Sequence, residues 1–185
     1  MGIAVEFVAK NWYEDALGEL DEEGFNSRRR EIVFSVCCAE SYLVEWVHRE
    51  VLPNDRSRWD ILTELFPVGI KKGIPERTKW VIKVLRSREL LGSDLPDFGQ
   101  GEWWEDFLEL VGYRDALVHA NVSRPRGALI PLNEQPRYKP VDIGKLPPGF
   151  AVGIVNEWMK ELHKAVGTAP PDWLRETPEQ SVRPG

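Results

Sequence analysis

Apolar residues in this chain recur at the three- and four-residue spacing of amphipathic helices, and short polar or proline-containing runs interrupt them. Ala4 to Leu20 is the first such stretch, with Val5, Val8, Trp12 and Leu17 close to one face. Asp21-Glu22-Glu23-Gly24 ends it. A longer helix is expected next, with Asn26 or Ser27 as its cap and Pro53-Asn54-Asp55 as its stop near Val51. Val33, Val36, Cys37, Leu43, Val44, Val47 and Val51 define its apolar arc, and Glu40 sits at the centre of that arc. Glu45 is assigned to the surface. A short helix is expected from Trp59 to Phe66, then a loop containing Pro67, Gly69 and Gly73.

Pro75 suits the first turn of the following helix, expected from about Glu76 to Leu91, with Trp80, Val81, Val84, Leu85 and Leu91 inward. Helical periodicity returns from about Trp103 to Asn121, where Phe107, Leu110, Val111, Leu117 and Val118 share an arc. Residues 123–150 are rich in proline and glycine and read as an irregular insertion; such a long connection is uncommon inside a compact domain and often functional. Ala151 to Val166 forms the last long helix, burying Ile154, Val155, Trp158 and Leu162. Four prolines make the tail, residues 168–185, mostly extended, with Trp173 and Leu174 available to dock. The fold class is therefore all-α, a bundle of about five helices, with residues 1–167 as one domain.

Composition narrows the picture modestly. A length of 185 residues, 42% hydrophobic and 29% charged, suits one globular domain with a real core. The net charge of −6 argues against bulk coating of nucleic acid, but leaves room for a local basic site. No apolar run approaches the ~20 residues of a membrane span, and no signal peptide is recognised at the N-terminus. Cys37 and Cys38 are neighbours and make no disulfide framework, so a reduced, cytoplasmic setting is expected. His48, His119 and His163 are too scattered for a zinc site, and no glycine-rich phosphate loop is present; neither metal nor cofactor is expected. The eight tryptophans read as helix packing rather than base stacking.

Two positions break the apolar pattern with opposite charges. Arg114 projects from the middle of one apolar arc and Glu40 from the middle of another. A buried guanidinium needs a carboxylate, a phosphate or a partner chain, because burial of an unpaired charge costs several kcal/mol. One account is a plain ion pair between the two helices. Another begins from Asp115 and His119, one turn apart on the flank of the same helix: the carboxylate can hold the imidazole and raise its pKa. A histidine titrating near neutrality beside a fixed guanidinium suits phosphodiester chemistry, the one moving a proton and the other stabilising charge on phosphorus oxygens. Lys79 and Lys83 lie on a basic helix face, and Arg124 and Arg126 on the irregular loop. Both read either as solvated charge or as a track for RNA, whose binding would weaken as salt rises.

The stretch Arg114-Asp115-Ala116-Leu117-Val118-His119, late in a helical bundle, resembles the Arg-x4-His motif of the HEPN superfamily. Asp115 matches the polar residue that follows the arginine in that family. Cys37-Cys38-Ala39-Glu40-Ser41-Tyr42-Leu43 is similar to its early helix, where an acidic or polar residue faces the motif. The resemblance spans roughly residues 28–122. It implies a metal-independent endoribonuclease of single-stranded RNA, a homodimer with two motifs facing across a two-fold axis, and a role as a toxin or antiviral defence effector, with a cognate antitoxin protein as a further partner. Arg114 and His119 would be catalytic; Asp115 would orient the histidine and Glu40 would hold the arginine. Attack by the RNA 2′-hydroxyl needs both a base and an acid, which two copies of His119 supply.

The best-defined toxins of that family carry a tyrosine two positions after the histidine. Here it is Asn121, which can hydrogen-bond a phosphate oxygen but does not support control through that tyrosine. Some family members do not cleave RNA, so a non-catalytic HEPN-like dimerisation module is the alternative. An unrelated helical protein in which the motif is coincidental is the third.

Overall fold

The computed structural model describes residues 8–22, 24–51, 64–66, 73–89, 99–119 and 143–175. Among these the fold is an all-α bundle without strands. Its elements are α1 (Val8–Gly18), α2 (Phe25–Trp46), α3 (Ile74–Ser87), α4 (Glu102–His119), α5 (Phe150–Val166) and a single turn α6 (Asp172–Arg175). A wide π turn, Val47–Val51, continues α2, and a 3-10 turn, Ile143–Lys145, precedes α5. The expected helix from Trp59 to Phe66 is described only at residues 64–66, where Leu65 is buried. No described helix is long and apolar enough to cross a membrane.

Helix α2 is the axis of the bundle. It pairs antiparallel with α1: the Ala9 N–H donates to Glu45 Oε1 at 3.0 Å near one end, and Ser27 Oγ donates to the Glu19 carbonyl at 2.8 Å near the other. It runs parallel to α5, because Glu31 meets Ala151 and Tyr42 meets His163. Helix α4 is antiparallel to α5, with Phe107 stacked on Trp158 at 5.0 Å and Tyr113 against Phe150 further along. Trp46, Trp104 and Trp158 are wholly buried, which places the aromatic mass between helices. Burial of that much apolar ring surface dominates the core energetics.

Several expectations shift once the helices are packed. In α2 the buried face is Ile32, Ser35, Val36, Cys38, Ala39, Tyr42, Leu43 and Trp46, about a third of a turn away from the aliphatic arc read from the sequence. Val44 is exposed and Cys37 only half-buried, and Glu40 sits at the margin instead of the centre. Glu45, assigned to the surface, is buried. It takes the Ala9 N–H because the first turn of a helix carries backbone donors with no partner inside the helix. Burial pushes its carboxyl above the ordinary value, with the Ala9 N–H pulling the other way. In α1 the buried residues are Ala9, Tyr13 and Ala16, while Val8 is exposed. Neither Asn26 nor Ser27 caps α2; Gly24 stands at that position with φ 103, and Ser27 turns back to Glu19.

A buried ionic node, which the apolar pattern does not signal, joins three of the helices. Arg28 and Glu31 are 2% and 1% exposed and paired with each other. Arg28 Nη2 also donates to the carbonyls of Glu19 at 2.8 Å and Glu22 at 2.5 Å, so it closes the end of α1. Glu31 Oε1 accepts from the N–H groups of Ala151 at 2.9 Å and Val152 at 3.4 Å, so it caps α5. One i,i+3 pair thus joins the ends of three helices. At the other end of the same face, Tyr42 and His163 hydrogen-bond through Nε2, and His163 Nδ1 meets Thr168 Oγ1 at 2.7 Å. Gly167, with φ 69, lets α5 end in a Schellman turn, its own N–H reaching Lys164 O and that of Thr168 reaching His163 O. That turn directs the chain back so that Trp173 packs on Tyr13 and Tyr42, and Leu174 is buried.

Candidate functional site

Arg114 and Glu40 come together. Arg114 Nη2 donates to Glu40 Oε1 at 2.5 Å, across the junction of α4 and α2, although 74 residues separate them in sequence. Asp115 Oδ1 is 3.3 Å from Arg114 Nη1. The Arg114 Nε is buried and has no hydrogen-bond partner among the described residues. The periodicity of α4 sets this up: Phe107, Leu110 and Val111 are buried on the same side as Arg114, which holds the start of its side chain against the core.

The pair is not the deeply buried lock that its position on two apolar arcs suggested. The side chains of Arg114 and Glu40 are 18% and 38% exposed, and that of Asp115 is 52% exposed. Helix α4 leaves the core over its last turns: Leu117 is half-buried and Val118 is exposed, which corrects the placing of Val118 in the buried arc. Val44 on α2 is exposed as well, one turn beyond Glu40. The site is therefore a charged cluster at the open edge of the bundle with exposed apolar residues one turn further along each helix.

His119 is the last residue of α4. The backbone puts it one turn beyond Asp115 and about 7.5 Å along the axis from Arg114; its side chain lies outside the described residues. Asn121, Arg124 and Arg126 also lie outside them. Cys37 is half-buried close to both members of the ion pair. Burial, with help from the Glu40 charge, pushes its thiol up, so it is not an activated nucleophile.

Lys79 and Lys83, on the exposed face of α3, belong to a different neighbourhood. Lys79 Nζ stands 5.0 Å from the centre of the Trp104 ring, a cation–π contact. Its stem crosses Gly99, where an added Cβ would fall 2.8 Å from Lys79 Cε. Both lysines are exposed, but Lys79 also packs at the start of α4, whereas no such contact engages Lys83 among the described residues. Among the described residues no cluster of three or more His, Cys, Asp or Glu side chains is arranged to hold a metal ion. No protein-family model, curated protein or solved structure matches this chain.

Proposed function

We propose that the chain is a metal-independent endoribonuclease of HEPN type that cleaves single-stranded RNA and works as a homodimer. The observation that carries this reading is where the Arg114–Glu40 pair sits. Two other polar nodes, Arg28–Glu31 and Tyr42–His163, are buried and serve packing. Arg114 by contrast is fastened at a solvent-reachable edge, on the helix that ends in His119. A part-exposed ion pair contributes roughly 0–1 kcal/mol to stability, so architecture alone gives it little reason to exist. In this reading Arg114 stabilises the charge that grows on the phosphoryl oxygens, and His119 moves protons between the 2′-hydroxyl and the leaving 5′-oxygen. Asp115, one turn before His119, orients it. A toxin or defence role, with an antitoxin partner, is the biological setting this chemistry suits.

The second reading, a non-catalytic association module, is favoured by exposed Val44 and Val118 beside the cluster, which a partner would cover. Cleavage of single-stranded RNA in EDTA separates the two. Wild type is compared with His119→Ala and Arg114→Ala, each first shown to be folded and in the same oligomeric state. Cleavage that leaves 2′,3′-cyclic phosphate ends, and that both variants lose, supports the nuclease. Intact RNA with a folded, dimeric wild type supports the association module.

A further inference from the structure

The charges around Arg114 do not form an anion site as they stand. One guanidinium faces two carboxylates, Glu40 at 2.5 Å and Asp115 at 3.3 Å, so the three groups together carry a net charge of −1. A phosphodiester approaching this cluster meets its own sign. Yet the arginine is only half used. Nε and Nη2 form the side edge of a guanidinium, the edge that receives two oxygens of one anion side by side. Glu40 takes Nη2 alone, and Nε has no partner among the described residues. Glu40 is also more than one-third exposed, so its carboxylate can return to water at small cost. A buried carboxylate such as Glu31 has no such freedom.

We infer that Glu40 is a restraining residue: in the free protein it holds Arg114 and closes it to anions, and a phosphodiester binds by displacing Glu40 and taking both Nε and Nη2. The inference rests on the ribonuclease reading only for the identity of the anion as RNA. Glu40 is thereby a positioning residue with two effects of opposite sign. It fastens the guanidinium at the edge of the bundle, and it competes with the ligand for it. Asp115, bound through Nη1, is not in the way of that side edge and stays in place when the anion arrives.

The test measures binding of a short single-stranded RNA carrying 2′-O-methyl groups, which cannot be cleaved by 2′-hydroxyl attack, by fluorescence anisotropy at fixed salt. Wild type, Glu40→Gln, Arg114→Ala and the double variant are compared, with Glu157→Gln, an exposed position on α5, as the control for net charge. Removing one carboxylate charge a few ångströms from the ligand should tighten binding about five- to tenfold in Glu40→Gln. The control should show a much smaller change, and Arg114→Ala should abolish the gain. Glu40→Ala, which also removes the restraint, should tighten binding in the same direction. Unchanged or weaker binding in both Glu40 variants overturns the inference, and so does a gain that survives Arg114→Ala. Cleavage by wild type with no gain in Glu40→Gln sinks the restraint and leaves the nuclease standing. An Arg114-dependent gain without cleavage by any variant upholds the restraint and removes the nuclease.

Discussion

Removing Glu31 should be among the most damaging single changes available in this protein. The side chain is 1% exposed, paired with an Arg28 that is itself 2% exposed, and it accepts the N–H groups at the start of α5. Glu31→Ala leaves the Arg28 guanidinium buried without its direct carboxylate partner, held by the carbonyls of Glu19 and Glu22 and a long contact to Ser27 Oγ. Breaking a buried pair from one side costs about 3–5 kcal/mol, and the lost cap on α5 contributes to that range through roughly 1 kcal/mol. For a domain with a typical stability of about 5–15 kcal/mol, such a loss is roughly a fifth of the total or more. Urea denaturation followed by tryptophan fluorescence reads it directly, as a lower midpoint at similar slope. The companion experiment is Arg28→Met with Glu31→Leu, which replaces both charges by apolar groups of similar length. It should recover most of the loss, because the desolvation of two charges disappears together with their attraction. Glu31→Ala within about 1 kcal/mol of wild type would refute the reasoning. So would a double variant as unstable as the single one, since the loss would then come from packing rather than from an uncompensated charge.

Arg114→Ala should cost no more than about 1 kcal/mol in the same assay, since its pair with Glu40 is part-exposed; a loss as large as that of Glu31→Ala would make it a structural lock. Glu45 gives a pH signature. Burial raises its folded pKa above the ordinary 4.5, so the folded state holds the proton more tightly than the unfolded chain. Its contribution is then fully present below that value and lost as pH rises through the folded pKa. Glu45→Gln keeps an oxygen for the Ala9 N–H and removes the charge, so its stability relative to wild type should increase between pH 4 and pH 7; a constant or falling difference in thermal melts would contradict this. Tyr42→Phe removes the hydrogen bond between the Tyr42 hydroxyl and Nε2 of buried His163 and should cost about 0.5–1.5 kcal/mol in urea denaturation, and no measurable change would show that the bond is not a net contributor.

The sequence by itself determined the helices. Proline and glycine punctuation and the 3.6-residue period located α3, α4 and α5 to within a few residues, and the all-α class followed from them. It also made Arg114 and Glu40 conspicuous, because a charge in an apolar arc is visible in one dimension, and their opposite signs made a pair between them one of the accounts open to it. The depth of that contact was decided only by the tertiary structure. Apolar counting centred α2 on its aliphatic residues, whereas the packed face runs through Ile32, Ser35, Ala39, Tyr42 and Trp46, with Arg28 and Glu31 at its end. Alanine and serine count for little on a hydrophobic scale, yet they allow neighbouring backbones to approach closely. A charged residue counts as solvent-facing until a neighbouring helix end satisfies it. Glu45 against the first turn of α1 and Glu31 against that of α5 are both such cases. The free donors at a helix terminus are properties of backbone geometry, and nothing in the side-chain sequence says which distant carboxylate will meet them. Helix positions are encoded locally; which face turns inward depends on long-range pairing.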